Sequence, residues 1–312
     1  MSVVLNGKGQ RIAERTQRTV LDVAEQLGYY SNATARSLRS GRVRALAVVA
    51  SSQDVSGFTS SVLLHAARAA RAQNYGLLLL PDAEWRPRVE RVFNSGQIDG
   101  VILHSSLAPT DTDMAGYLNR AVILQDGPTE LPRLGLRVTI DASSALRRLV
   151  DNLLDLGHSR VAYFSPETHT GTRLNAYCEA LRTHGIRVQP HYIVAADPLA
   201  NEMPLAARRL LQQHPRPTAV VCGTDVLALG VYQAAAQLGL RIPEDLSVAG
   251  VGLHGIWDVL RPRLTALVSP AAEVASAAVD LLIRAIDAPD AELSSVVLQP
   301  SIAVGGSTAP PI

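Results

Sequence analysis

The sequence predicts an α/β fold of two lobes, each built on a doubly wound parallel sheet, preceded by a partial helical segment. From residue 43 onward, apolar runs of strand length alternate with longer helical patterns. These runs are continuously apolar, as expected of parallel strands covered on both faces. They fall into two groups separated near residues 138–141, and a chain of 312 residues with 47% hydrophobic side chains can fill two cores.

The elements can be assigned in chain order. Residues 11–27 are predicted to form one helix ending at Gly28, and Asn32 is predicted to cap a short helix over 33–38. Strands are then predicted at 45–50, 76–80, 100–103, 121–124, 161–164, 219–222 and 247–251. The intervening helices are predicted at 60–73, 143–156, 174–184, 205–213, 225–238 and 272–286.

This order of elements predicts where a ligand binds. Two parallel sheets that face each other leave a cleft at the carboxyl ends of their strands, and small ligands bind there. We therefore divide the chain into an N-terminal helical part (1–43), a first lobe (44–139 plus 269–293) and a second lobe (140–268 plus 294–312).

Charge is distributed unevenly along the chain. The net charge is +1, but residues 1–44 carry eight basic and three acidic groups, which gives +5 there and leaves −4 for the remainder. A basic arm on a mildly acidic body indicates a polyanionic partner at one end, although a solvated helix face would show the same charges.

Other bulk properties exclude several protein classes. There is no apolar run of about 18 residues and no apolar leader, so we expect a cytoplasmic protein without membrane contact. Cys178 and Cys222 lie in separate segments without metal-ligand spacing, and we expect two buried free thiols. The sequence predicts neither a metal site nor a cofactor.

The sequence contains no recognisable catalytic motif. Gly-x-Ser-x-Gly, phosphate-loop and His-Glu-x-x-His patterns are all missing. His158 lies in a Gly-His-Ser-Arg run at a predicted helix-to-strand turn, where we expect a structural hydrogen bond rather than catalysis. We therefore expect that the protein is not an enzyme.

Seven ordered segments together carry a family resemblance. Residues 28–41 (GYYSNATARSLRSG) are the most specific, and the others extend from Ser2 to Thr265. These others are SVVLNG at 2–7, DGVIL at 99–103, LGHSRVA at 156–162, TDVLALG at 224–230, GLRIPEDLSV at 239–248 and PRLT at 262–265. The chain resembles the LacI/GalR family of bacterial transcription regulators over nearly its whole length.

The resemblance implies a homodimeric repressor that binds a palindromic double-stranded DNA operator. It implies a helix-turn-helix in the major groove, a hinge helix in the minor groove and a two-lobed sensor of the periplasmic-binding-protein type. Leu38 matches the leucine wedged between base pairs, and Ala35 leaves room beside it. The other positions that match DNA-contacting residues are Ser2, Asn6, Thr16, Tyr29 and Asn32. Residues 60–73 are expected to supply part of the dimer interface.

The chain departs from the family at its beginning. Family members carry about 20 more residues upstream, which form one helix, a turn and the start of the reading helix. Val3 also stands where a polar residue is common. We therefore expect that translation starts upstream of Met1.

The predicted effector site also departs from the family. Arg173 matches the arginine that grips the effector, and a guanidinium suits vicinal hydroxyls or a carboxylate, although a surface ion pair is the alternative. Gly252 and Thr224 stand where sugar-sensing relatives carry aspartate and asparagine. We therefore expect a sugar-like or other polar metabolite as effector, but not a simple hexose.

Five further residues are candidates for the same site. His104, Asp126 and His254 are candidate polar contacts, although solvated loop positions are their ordinary interpretation. Phe58 is a candidate stacking partner for a ligand ring or a core residue. Asp225 is a candidate contact that we expect more often to cap its helix.

Two other functions remain open at this point. A solute-binding module without DNA-binding activity would share the two lobes but would need export and no hinge segment. An enzyme that uses the cleft would need a nucleophile, a base and an orienting group, which the candidate residues do not supply.

Overall fold

A computed structural model describes residues 4, 12–27, 41–50, 57–81, 84–104, 118–126, 135–166, 171–198, 200–252 and 260–312. These residues form eight α-helices and twelve strands. The helices are α1 (Glu14–Gln26), α2 (Gly57–Ala72), α3 (Trp85–Asn94), α4 (Ala142–Asp155), α5 (Thr172–Thr183), α6 (Met203–Leu211), α7 (Asp225–Gln237) and α8 (Ala271–Asp287). The strands are β1 (Ala45–Ala50), β2 (Gly76–Pro81), β3 (Gly100–His104), β4 (Ala121–Asp126), β5 (Leu136–Ile140), β6 (Val161–Ser165), β7 (Ile193–Ala195), β8 (Ala219–Cys222), β9 (Ser247–Val251), β10 (Thr265–Val268), β11 (Val296–Leu298) and β12 (Ser301–Ala303).

The strands form two six-stranded sheets. The first has the order β11-β5-β4-β3-β1-β2 with every pair parallel. The second has the order β12-β10-β9-β8-β6-β7, and only the β10–β12 pair is antiparallel. We call each sheet with its packed helices the first and the second lobe. The predicted fold class, two parallel-dominated α/β layers after a helical N-terminal part, is confirmed.

Each sheet is covered on both faces, which explains why its strands are continuously apolar. In the first lobe, α2 and α8 contribute to the core on one face, and α3 to the core on the other. In the second lobe, α6 and α7 bury one face, and α4 and α5 bury the other. Leu149 of α4, for example, is 1% exposed, and truncation of such a buried leucine to alanine costs about 2–5 kcal/mol.

Three short crossings join the lobes, and all of them lie at the carboxyl ends of strands. The first runs from β5 to α4, the second from β10 to α8, and the third from β11 to β12. Ser301 of β12 pairs with Val268, the last residue of β10. Because one or two residues span less than about 10 Å, these crossings hold the carboxyl edges of the two sheets close together.

One glycine shows how tightly α8 packs on the first sheet. A Cβ atom on Gly100 would lie 2.8 Å from Leu282 Cδ1 and 3.0 Å from the Arg120 carbonyl oxygen. Gly100 is therefore needed at the start of β3, which accounts for its place in the segment 99–103.

The strand predictions at 45–50, 219–222 and 247–251 match the structure residue for residue. The other predicted strands and helices that fall on described residues agree within three residues at each end. The predicted lobe boundary at residue 293 is wrong for β11. It assigns β11 to the second lobe, whereas the strand pairs with β5 of the first sheet. A three-residue edge strand carries no periodicity that would reveal its partner. The same shortness explains why β7 and β12 are missing from the prediction. Strands β5 and β10 and helix α3 are missing from it as well.

The N-terminal helix is shorter than predicted, and its apolar side chains differ in exposure. Ala24 is 5% exposed, whereas Val23 is 42% and Leu27 is 73% exposed. Leu27 follows the last helical residue, and Val23 lies about 100° from Ala24 around the helix axis. The predicted short helix over 33–38 lies outside the described residues.

Candidate functional site

The candidate site is built at the carboxyl edges of the two sheets, where the crossings meet. Asp141 lies between β5 and α4 and joins the first crossing to the third. Its Oδ1 accepts from Ser144 N at 3.1 Å and caps α4, and its Oδ2 accepts from Gln299 Nε2 at 3.1 Å. Its backbone N–H donates to the Leu298 carbonyl at 3.0 Å. Burial raises the pKa of Asp141, but the Gln299 and Ser144 hydrogen bonds outweigh burial and lower it below its ordinary value.

Sequence reasoning missed Asp141. The available signal was an aspartate directly before a predicted helix, at the separation between the two groups of strands. Its bonds to residues 298 and 299 join segments about 160 positions apart in sequence, and no local pattern predicts those contacts.

At the edge of the first sheet, the structure brings Phe58 and His104 together. His104 ends β3, Phe58 lies in the first turn of α2, and both are half-buried. They share a small, mainly apolar depression at the ends of β1, β3 and β4. Its lining also includes Val48, Val49, Ala50, Thr59, Val62, Leu63 and Leu124. Asp126 is the last residue of β4, at the same edge and in register with Ile140.

At the edge of the second sheet, three predicted residues meet around Gly223. Arg173 Nη1, from the first turn of α5, donates to the Gly223 carbonyl oxygen at 3.2 Å. Gly223 directly follows β8, and Thr224 and Asp225 come next at the start of α7. The structure therefore gathers Arg173, Thr224 and Asp225 at one place, whereas His254 lies outside the described residues.

Helix α7 is capped by Thr224 and not by Asp225, so that expectation for Asp225 is wrong. Thr224 has extended backbone angles, and its Oγ1 accepts from Leu227 N at 3.2 Å. Asp225 is already helical, and its Oδ1 accepts from Val226 N at 2.9 Å. The side chain that reaches the third helical N–H must belong to the extended residue before the helix.

Asp225 is a buried carboxylate that faces Gly252. It is only 4% exposed, and a Cβ atom on Gly252 would lie 3.3 Å from its Cγ. Gly252 has φ +94°, which L-residues rarely adopt. An aspartate at 252 would be strained and would place two carboxyl groups side by side, so residue 225 supplies the carboxyl group at this place.

His158 has the structural role that the sequence predicts. It is 2% exposed; Nδ1 lies 2.9 Å from Thr218 Oγ1, and Nε2 lies 2.8 Å from the Ala309 carbonyl and 3.1 Å from Ser247 Oγ. Burial lowers the pKa of His158, which keeps the ring neutral.

Of the two cysteines, Cys222 is buried as predicted and Cys178 is half-buried.

A larger cavity, of about 240 Å³, lies at the opposite edge of the second sheet. It sits at the amino ends of β6, β8 and β9, away from the crossings and from the predicted effector residues. Its lining consists of His158, Arg160, Arg216, Thr218, Pro243, Glu244, Asp245, Leu246, Pro311 and Ile312. We place the candidate site at the carboxyl edges despite this larger volume, because Arg160 Nε is already bonded to the Arg216 carbonyl at 2.9 Å.

The predicted DNA-contacting residues are mostly beyond what the structure describes. Thr16 is exposed on α1. The remaining six, Ser2, Asn6, Tyr29, Asn32, Ala35 and Leu38, lie outside the described residues.

Among the described residues, no helix has the length and apolar character needed to cross a membrane, and no group of three or more His, Cys, Asp or Glu is arranged to hold a metal.

Comparison with known proteins gives a consistent result. A family profile described as a periplasmic binding protein-like domain matches residues 150–308. Catabolite control protein A of Priestia megaterium is 28% identical, over 99% of this chain and 94% of that protein. The HTH-type transcriptional repressor CytR of Escherichia coli K12 is 28% identical, over 96% of this chain and 89% of that protein. A crystal structure of a LacI-family regulatory protein from Chloroflexus aggregans is 25% identical with a TM-score of 0.73, covering 85% of this chain and 98% of that one.

Proposed function

The chain belongs to the LacI/GalR family of transcription regulators, and from this premise we propose that it is a homodimeric repressor controlled by a small molecule bound between its lobes. Effector binding favours one arrangement of the lobes, and this arrangement changes the affinity of the N-terminal segment for a palindromic operator. By linkage, operator and effector affect each other's affinity by the same factor.

The observation that carries the effector site is the position of the crossings. All three lie at the carboxyl edges, so a change in the angle between the lobes opens or closes this region while the opposite edges keep their local structure. Polar residues, among them the buried carboxyl group of Asp225, collect there on the second lobe, as in many ligand sites.

The two edges favour an effector with two different ends. Arg173 and the buried Asp225 of the second lobe suit a polar group that both donates and accepts hydrogen bonds. Phe58 and the apolar depression of the first lobe suit a ring or an alkyl group. A simple hexose would leave hydroxyl groups unpaired against that apolar surface, which is costly.

Exposed leucines support the homodimer. Leu64 on α2 is 53% exposed, and Leu79 on the edge strand β2, against which α2 packs, is 56% exposed. On the second lobe, Leu229 of α7 is 44% exposed. Edge strands and apolar helix surfaces of this kind are usually covered. We propose that a second copy of the chain covers them about a two-fold axis.

DNA selection tests the proposal. The chain, extended at its N-terminus by the helix-turn-helix residues that the family resemblance predicts upstream, is incubated with a randomised pool of palindromic duplexes. The retained duplexes are sequenced, and their affinity is measured by fluorescence anisotropy. We expect one enriched palindrome and a loss of binding on Leu38→Ala, with Leu205→Ala, a truncation of an exposed leucine of the second lobe, as the matched control. Absence of any enriched sequence would count against a DNA-binding regulator.

A ligand screen tests the effector site. A thermal-shift panel of sugars, nucleosides and small organic acids is applied to the wild type and to Arg173→Gln. We expect a compound that raises the melting temperature of the wild type but not of the variant. Arg182→Gln, at the exposed end of the same helix α5, is the control and keeps the shift. A compound that stabilises all three proteins equally would show that it binds elsewhere.

A further inference from the structure

The residues that leave the N-terminal part are bonded firmly to the first lobe. The backbone N–H groups of Val43 and Arg44 donate to the two carboxylate oxygens of Asp99, at 3.0 and 2.6 Å. Asp99 N in turn donates to the Ala45 carbonyl at 2.7 Å. Asp99 is 6% exposed, and a buried carboxylate that accepts two N–H groups forms strong, charge-assisted bonds.

A second attachment lies one residue earlier, at the end of α8. The Arg42 guanidinium pairs with the Asp287 carboxylate, and its Nη2 donates to the Ile286 carbonyl at 2.9 Å. The last carbonyls of a helix have no partner within the helix, and a cation is favoured there by the helix dipole. The hydrogen bond to Asp287 raises the pKa of Arg42.

Helix α8 connects this attachment to a lobe crossing. It begins at Ala271, directly after the β10 crossing, and ends at Asp287 beside Arg42. Its 17 residues span about 26 Å, and its buried face packs on the first sheet. The helix therefore runs from the carboxyl edge, where the lobes meet, to the amino edge, where the N-terminal segment leaves.

We propose that Asp99 and the Arg42–Asp287 pair are positioning residues that make residues 42–44 a rigid part of the first lobe, so that lobe reorientation is passed on to the DNA-binding segment. Without them, three residues of free backbone would form a flexible joint, and that joint would absorb the movement. Coupling between two sites requires a connection with defined arrangements. The inference rests on the proposed function, because it assumes that the N-terminal segment binds DNA.

The test uses the same N-terminally extended chain and the palindrome that it selects. Arg42→Gln and Asp287→Asn are each expected to weaken DNA binding about fivefold, the lower end of usual coupling energies. The double variant is expected to bind no more weakly than either single variant, and the exchange Arg42→Asp with Asp287→Arg is expected to restore part of the affinity.

Asp287→Asn separates positioning from simple charge. It removes a negative charge, so electrostatics alone would strengthen DNA binding. Weakened binding by this variant can arise only if the contact itself matters. A merely structural role is excluded if the melting temperature and the effect of salt on affinity stay unchanged.

Arg241→Gln is the matched control. It breaks the exposed Arg241–Asp245 pair of the second lobe, which has no contact with residues 42–44, and it should leave DNA binding unaltered. If the wild type binds the palindrome and both Arg42→Gln and Asp287→Asn bind it equally well, the inference is wrong and the proposed function stands. If the wild type selects no DNA, both fail.

Discussion

In the first lobe a buried carboxylate holds the segment that enters the lobe, and in the second lobe a buried imidazole holds the segment that ends the chain. Asp99, just before β3, binds the backbone of residues 43 and 44. His158, just before β6, binds the Ala309 carbonyl together with Ser247. Both residues occupy the loop that precedes a central strand, and both are almost completely buried.

The difference lies in charge and in what surrounds each residue. The His158 ring is neutral and its hydrogen-bond partners are neutral, so the C-terminal segment cannot detach without exposing several unpaired groups. Asp99 has an exposed neighbour, the Arg42–Asp287 pair, which can break while the lobe stays folded. We conclude that the C-terminal attachment contributes mainly to stability, and that the N-terminal attachment is suited to transmit movement.

The largest effect is expected for His158→Ala. The change leaves a cavity and removes one hydrogen-bond partner each from Thr218, Ser247 and Ala309, so we expect a loss of about 3 kcal/mol in the free energy of unfolding. Urea unfolding followed by circular dichroism measures it. The exposed His191→Ala is the control, and a loss equal to that of the control would refute the anchoring role.

Asp99→Asn is expected to cost less, about 2 kcal/mol. The amide oxygen can accept one of the two backbone N–H groups, but its NH₂ group then faces the other. Hydrogen exchange at the amides of residues 43 and 44 should quicken well beyond the global effect. Equal protection of these amides in the variant and the wild type would show that Asp99 does not hold residues 43 and 44.

Asp141→Ala tests the contacts that join the crossings between the two lobes. Loss of the α4 cap costs about 1 kcal/mol, and loss of the Gln299 contact loosens two crossings. Limited proteolysis near residues 299–300 should accelerate in this variant and not in Ser144→Ala, which keeps the backbone N–H that the cap uses. Unchanged cleavage would mean that other contacts hold the crossings.

The smallest effect is the pH dependence that comes from His158. Its pKa is lower in the folded than in the unfolded protein, where it is about 6.5. The stability it contributes is present above the unfolded value and is lost as the pH falls through the folded value. His184, whose pKa is raised by its bond to the Ala180 carbonyl and by Asp151 and Asp155, changes stability in the opposite direction. The difference between the wild type and His158→Gln, followed by urea unfolding from pH 7.5 to 5, isolates the His158 contribution; parallel curves would disprove it.

Much of the fold was predictable because strand and helix periodicity is local. The continuous apolar runs at 45–50 and at 219–222, an alanine, two valines and a cysteine, marked buried strands residue for residue. The candidate site was partly predictable, since Arg173, Thr224 and Asp225 follow strand ends and the structure brings them together. The assignment of the cap to Thr224 instead of Asp225 depended on one backbone angle, which the sequence pattern did not reveal.

The sequence by itself determined the two groups of buried strands and most of the helices between them, because those features depend on neighbours a few residues away. It also indicated a structural part for His158, but the partners of that side chain lie 60 to 151 positions away and only the tertiary structure identified them. The tertiary structure alone decided that β11 joins the first sheet, that Asp141 ties residues 298 and 299, and that Asp99 and Asp287 hold residues 42–44. These contacts join segments separated by about 55 to 245 positions. Their energy is realised only after the chain has folded far enough to bring these distant segments together, so no local pattern encodes them.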